Sequence, residues 1–312
     1  MKLEQAWVSL LDSSGWRRLG RSAWGRRMWR SRAFRAVDIA RRRVLTSLNT
    51  RRHEADLGSV RTFCVLLGTV KSGGSLLGSM LDAHPNVVLS DEADPMRYVT
   101  AGFSRAQLFQ LLVKSARREA MKGRVTARRL VPYSLAVPGQ WQGRFSEILV
   151  IGDSKAGPTT RQMGERPELV EALREVLGTV EDRYVHVIRS PYDPISAMVR
   201  RSGRTLDSAV ADYAAQCERL LTLRSLIPPD RLLTVAYEDV IANPAAQLGR
   251  LCQFLRVKVQ ASYLSDCASM VDANRQRERH LVQWTPAALD AVEDLVHRYP
   301  FLNRYVSEGA DR

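Results

Sequence analysis

The sequence predicts an α/β fold: a central parallel sheet flanked by helices in a three-layer arrangement, with a basic helical extension at the N-terminus. Three observations carry this expectation. Short β-rich runs alternate with segments of helical periodicity, a glycine-rich turn joins the first such run to a helix, and most of the excess positive charge lies at one end of the chain. With 312 residues, 45% of them hydrophobic, the chain is long enough to bury a full core.

The extension comes first. Residues 1–52 hold fourteen Lys and Arg against three Asp and Glu, a net +11 out of the chain's +14, so the remainder carries only +3. Basic character thus belongs to a segment, placed here at residues 1–58, rather than to the α/β domain at 59–312, and no nucleic-acid partner is expected. Four of the six tryptophans (Trp7, Trp16, Trp24 and Trp29) lie there among arginines. Phe34, Val37, Ala40, Val44 and Leu48 recur at helical spacing around Arg41, Arg42 and Arg43, a basic amphipathic pattern. Such a helix either lies on an anionic membrane surface or packs on its own domain, and the pattern does not separate the two. No apolar run approaches the roughly 18–20 residues of a membrane span. Cytoplasmic location is the expectation, with peripheral contact at the inner membrane face as the membrane alternative.

Cys64, Cys217, Cys252 and Cys267 are far apart, which argues against a disulfide framework or a zinc site and for a reducing compartment. The five histidines form no cluster in sequence, and His84, before Pro85, reads as a packed or turn-stabilising residue.

Along the domain, strands are expected at Phe63 to Thr69, Val87 to Ser90, Ile148 to Ile151, Tyr184 to Ile188 and Leu232 to Ala236. Helical periodicity covers Arg105 to Met121, Pro167 to Leu177, Leu206 to Leu226 and Pro244 to Leu255, with a last helix from Thr285-Pro286 to about Tyr299. Ser104, Asn243 and Thr285 are N-cap residues by type and position. Lys122 to Phe145, with its prolines, glycines and aromatics, reads as an irregular excursion.

The turn after the first strand, Gly68-Thr-Val-Lys71-Ser-Gly73-Gly74-Ser75, nearly fits G-x-x-x-x-G-K-[ST], but Gly74 stands where that pattern has lysine. A strand, a glycine turn and a helix N-terminus together favour an anion: backbone N–H groups converge and the helix dipole adds to them. Lys71 supplies a full charge, and Ser72 and Ser75 supply hydroxyls. In a parallel sheet the residues after each strand gather along one edge. That rule joins the Lys71 loop to Asp91-Glu92, to Asp153-Ser154-Lys155, to Arg189, and to Tyr237-Glu238-Asp239, of which the last is expected to brace loops.

These segments carry a resemblance. The sequence resembles sulfotransferases that use 3′-phosphoadenosine 5′-phosphosulfate (PAPS), and is most similar to their bacterial and protein-tyrosyl branches. VKSGGSLLGSMLDAHPNV resembles the 5′-phosphosulfate loop, HVIRSPYDPISAMVRR the 3′-phosphate segment, and TVAYEDVIANPAAQLGRLCQFL a later strand and helix. The resemblance implies a P-loop-type fold and transfer of a sulfonate from PAPS to a hydroxyl or amine of a small-molecule, glycan or lipid acceptor, without a metal. It implies that Lys71 stabilises charge on the leaving phosphate and that the N–H groups of Ser72, Gly73, Gly74 and Ser75 hold the 5′-phosphate.

It further implies that Glu92, twenty-one residues beyond Lys71, is the general base, with Asp91 as the alternative, and that Lys155 is a second stabiliser of the transferring group. Arg189 matches the arginine that holds the donor's 3′-phosphate. Its usual Ser or Thr partner, eight positions on, is replaced by Ala197; Ser196 precedes it by one residue. Arg275, Arg277 and Arg279 correspond to a basic loop that covers the nucleotide, with Arg277 taken as the binding residue. Two other functions stay open on the residues alone: a nucleotide-binding protein without chemistry, suggested by Ala197, and a kinase of the phosphate-loop class. The second is disfavoured by Gly74, and Asp153 is the one candidate for its metal ligand.

Overall fold

The computed structural model describes residues 32–91, 93–126, 133–271 and 279–309. Five parallel strands form the central sheet in the order β2-β5-β1-β6-β7: β1 (Thr62–Gly68), β2 (Val87–Ser90), β5 (Val150–Asp153), β6 (Glu181–Ile188) and β7 (Leu232–Ala236). β3 (Val125–Thr126) and β4 (Tyr133–Ser134) pair separately as a small antiparallel ladder within the excursion. Every residue of β1 is buried, as a central parallel strand covered on both faces should be. Its side chains alternate between two cores: Phe63, Val65 and Leu67 enter one apolar cluster, Cys64 and Leu66 the other.

Helices make the outer layers. They are α1 (Arg32–Leu57), α2 (Gly74–Asp82), α3 (Pro95–Thr100), α4 (Arg105–Met121), α5 (Ala156–Glu165), α6 (Leu169–Leu177), α7 (Tyr192–Ser202), α8 (Leu206–Leu226), α9 (Tyr237–Ala242), α10 (Pro244–Phe254), α11 (Ala261–Ser269) and α12 (Pro286–Arg298). The three expected N-caps are in place. Ser104 and Gln107 form a full capping box at α4, Asn243 accepts from Ala246 N, and Thr285 accepts from Ala288 N. The third strand lies two residues later than its apolar pattern suggests, so Asp153 closes β5 instead of following it. Burial of both faces of β5 admits Gly152 and Asp153 because their backbone pairs with β1 and β2, a tertiary gain that propensity does not register.

His84 is fully buried. Its Nδ1 accepts from Asn86 N (3.0 Å), so Nε2 carries the proton and faces Lys258 O at 2.9 Å. That is the turn-stabilising role its place before Pro85 suggests. All four cysteines are free and buried. Phe103 is core: it is 2% exposed and packs on Tyr98 with ring centroids 5.1 Å apart. The Trp-bearing part of the excursion is pinned to α2, where Gln142 donates to Ser79 O (2.8 Å) and Trp141 N donates to Ala83 O (3.1 Å).

Candidate active site

From β1 the chain goes outward to β2, returns to β5 beside β1, and only then builds β6 on the other side. The crevice at this reversal, beyond the carboxyl ends of the strands, is where an open α/β sheet offers a ligand site. The Lys71 loop opens there. Gly73 has φ 103°, and a Cβ on it would collide with the Tyr237 ring, so only glycine lets the loop pass this close. Lys71 is exposed and also left-handed, at φ 67°, a conformation that costs a non-glycine residue on the order of 1–3 kcal/mol and concentrates at ligand clamps.

Two partners invisible in the sequence hold the loop. Gly68 N donates to Thr160 Oγ1 on α5 (2.9 Å), and Val70 N donates to Gln216 Oε1 on α8 (2.7 Å). Ser72 N closes a turn onto Thr69 O at 3.3 Å. Its Oγ is buried with no hydrogen-bond partner among the described residues, an arrangement that costs free energy unless an occupant of the loop completes it. The first N–H groups of α2 have no intrahelical partner either and open onto the same loop.

Arg189 follows β6 and ties this loop to α7. Its Nη1 donates to Lys71 O (3.1 Å), its Nη2 pairs with Asp193 Oδ2 (3.2 Å), and its guanidinium stacks over Tyr237 at 4.7 Å from the centroid. The Tyr237 ring therefore meets both Gly73 and Arg189. Glu238 is a brace, accepting from Ser190 N (2.9 Å) and from the Tyr305 hydroxyl (2.7 Å). The helix after Arg189 starts at Tyr192, which places Ser196 three residues beyond Asp193 on the same side of α7. Ser196 is fully buried, and its Oγ too lacks a hydrogen-bond partner among the described residues. Ala197 is buried beside it.

Of the basic loop, Arg279 is described. Its N–H donates to Asp193 Oδ1 (3.0 Å) and its Nη2 to Ser190 Oγ (3.0 Å), which fastens the end of that loop to the Arg189 segment. Arg275, Arg277 and Glu92 lie outside the described residues, as do Trp7, Trp16, Trp24 and Trp29.

The acidic side of the cleft is built by β2 and β5. Ser154 Oγ donates to Asp91 Oδ1 and to Ser90 O, each at 3.2 Å. Asp153, 1% exposed, accepts from Lys155 N (3.2 Å) and Ala93 N (3.4 Å) and so clasps the loops that carry Lys155 and Asp91. Its carboxyl is committed to backbone N–H groups, which weighs against service as a kinase metal ligand. Among the described residues no group of three or more His, Cys, Asp or Glu is placed to hold a metal ion.

Burial pushes the Asp153 carboxyl up to about 7, and the Asp91 charge acts in the same direction. Because the folded pKa exceeds the unfolded one, the proton held by Asp153 stabilises the fold fully below about pH 4, and that contribution disappears as pH rises through about 7. Asp153→Asn has no such proton to lose. Its melting temperature relative to the parent protein is expected to rise between pH 5 and pH 8; a difference flat with pH would show that Asp153 does not titrate in that window.

A family model decides the assignment: that of the sulfotransferase family matches residues 64–261, more than half of the chain. The chain belongs to the sulfotransferase family. Among solved structures, this sulfotransferase is similar to the sulfotransferase domain of the Synechococcus PCC 7002 olefin synthase, with 18% identity and TM-score 0.46 over 76% of this chain and 95% of that one. It is also similar to sulfotransferase STF9 from Mycobacterium avium, with 11% identity and TM-score 0.47 over 85% of each chain. A third likeness is to mouse sulfotransferase SULT7A1 complexed with PAP, with 12% identity and TM-score 0.42 over 80% of this chain and 88% of that one. Comparison with curated proteins returns no match. Membership rests on the family match.

Proposed function

We propose that this sulfotransferase moves a sulfonate group from PAPS to an acceptor hydroxyl or amine, with Lys71, Ser72, Arg189 and Ser196 forming the donor site. The observation that carries the reading is the pair of buried hydroxyls, Ser72 in the loop and Ser196 on α7, that lack a hydrogen-bond partner among the described residues, on two elements that Arg189 bridges through Lys71 O and Asp193. A donor with a phosphate at each end of its ribose suits such a pair, since each hydroxyl gains an acceptor when an anion arrives. Ser196 takes over the hydrogen bond that Ala197 cannot make.

In this mechanism the acceptor oxygen or nitrogen forms a bond to sulfur while the bond from sulfur to the phosphate oxygen breaks in line. The acceptor's proton passes to the carboxylate of Glu92, and the bonding electrons go to the departing phosphate. Lys71 and the N-terminus of α2 offset the negative charge that grows there, and Lys155 does so for the sulfonate oxygens. No second phosphate follows the first along the loop, so the lysine that triphosphatases carry at the Gly74 position has nothing to hold.

Adenosine 3′,5′-bisphosphate is expected to raise the melting temperature of the protein, and ATP with magnesium is not, because only a ligand of the folded state stabilises it. Ser196→Ala should reduce that rise while leaving the unliganded melting temperature nearly unchanged. Stabilisation by ATP-magnesium alone would reject the donor assignment in favour of the kinase function. Stabilisation by the bisphosphate without transfer of labelled sulfonate to any acceptor in a metabolite extract would mark a binding protein instead.

A further inference from the structure

Helix α1 packs Ile39 and Leu57 on the core and buries Leu45, yet it leaves a second apolar stripe outside, where a surface helix usually shows its polar face. Its inward side is anchored by polar groups. Asp38, 3% exposed, pairs with Arg42 at 2.9 Å and Arg41 at 3.7 Å on its own helix and with Arg97 of α3 at 3.1 Å. Thr46 and Leu45 are buried nearby, and Gln107 of α4 donates to Ser47 Oγ (2.9 Å) and to Arg43 O (3.4 Å). Arg43 donates to Ala101 O and lies over the Phe103 ring.

The outward side carries an apolar stripe beside the exposed Arg43 and Ser47. Ala36, Val37, Ala40 and Val44 are exposed there, with Val37 and Val44 each at 51%. Phe34 and Leu48 continue the same spacing along the sequence in both directions. Of the apolar repeat that the sequence shows, Val37, Ala40 and Val44 thus face away from the domain.

We propose that this stripe docks on an anionic membrane surface, with the helix lying in the plane of the headgroups. Charge selects this occupant over a second copy of the chain. Helix α1 carries seven arginines against three acids, and the sequence through residue 52 carries +11, so two copies of this segment brought together repel, whereas an anionic lipid surface neutralises them and accepts the valines between its headgroups. No helix among the described residues is long and apolar enough to cross a membrane, so attachment through this face lies along the surface. The hydrogen bonds from α1 to Arg97 and Ala101 fasten the lipid-facing helix to the segment that begins four residues after Asp91, at the acidic side of the cleft. The inference stands apart from the donor assignment, since it uses none of the donor-site residues.

Co-sedimentation of the full chain with vesicles tests it. Binding is expected to vesicles of mixed phosphatidylcholine and phosphatidylglycerol, not to phosphatidylcholine alone, and to weaken as salt is raised. The double substitution Val37→Glu and Val44→Glu should weaken binding about tenfold or more, and the uncharged pair Val37→Gln and Val44→Gln should weaken it less. Both variants should keep the parent circular dichroism, because the exchanged side chains are half exposed.

Absence of binding by the parent protein would overturn the proposal. So would unchanged binding by the glutamate variant, which would assign lipid contact to the Trp/Arg segment before residue 32. A parent dimer that the glutamate variant converts to monomer, seen by sedimentation velocity without vesicles, would give the face to a second copy instead.

Discussion

Lys71→Ala is expected to lower turnover by about a hundred- to a thousandfold and to weaken donor binding as well, the loss seen when a charge-stabilising donor is removed from a transition state. Lys71 is the full positive charge carried by a loop whose other contributions are backbone N–H groups and serine hydroxyls. Its left-handed backbone fixes where the side chain departs from the loop, and Arg189 holds the carbonyl of the same residue. Lys71→Arg should restore part of the binding and little of the turnover, since a planar fork does not replace a point charge. Glu92→Gln should behave differently, with turnover reduced and donor affinity preserved, because a base meets the acceptor and not the nucleotide. Steady-state kinetics with the bisphosphate as a competing ligand separates the two patterns. Wild-type turnover in Glu92→Gln would transfer the role of base to Asp91, and near-normal donor binding in Lys71→Ala would remove that residue from the phosphosulfate site.

Asp82→Ala is expected to destabilise the fold by about 3–5 kcal/mol, the cost of leaving a buried guanidinium without its counter-charge. Asp82 ends α2, the helix that follows the glycine-rich loop, and is fully buried. It accepts from Leu89 N of β2 (2.7 Å), from Gly143 N of the excursion (3.0 Å) and from Arg124, itself buried. One carboxylate thereby joins three parts of the chain. Replacing both partners, Asp82→Leu with Arg124→Met, should recover much of the loss because neither charge is then stranded. Urea unfolding provides the measurement. A single-variant cost under about 1 kcal/mol would mean that solvent reaches Arg124 when its partner is gone.

Most of the fold is legible without coordinates. The strands β2 and β7 and the helices α4 and α8 coincide with their sequence patterns, because their apolar periodicity and caps are local features that survive packing. The short helices α3, α5, α9 and α11 are not legible in this way. Each spans ten residues or fewer, below the length at which a helix is stable in isolation, and tertiary contacts stabilise it. The site divides along the same line. Lys71, Arg189 and Lys155 announce themselves by residue type just after a strand. Gln216, Thr160 and Tyr237, which hold the loop and the arginine, have no local signature, since each acts on a residue distant in sequence or through the packing of a ring; Asp193 differs, pairing with Arg189 four residues before it.

The sequence by itself determined the class of fold, the position of the glycine-rich loop between the first strand and its helix, and the family, because strand runs, glycine turns and charged residues at strand ends are written in consecutive residues. Only the tertiary structure decided that the Ser196 hydroxyl is buried on the Asp193 side of its helix, and which side of the N-terminal helix faces out. Both depend on rotation about a helix axis, and packing against neighbouring elements, not periodicity, sets that rotation. A stripe of Val37, Ala40 and Val44 reads identically whether it faces core or water; packing of Ile39 and Leu45 on the domain and the pairing of buried Asp38 with Arg97 turn it outward.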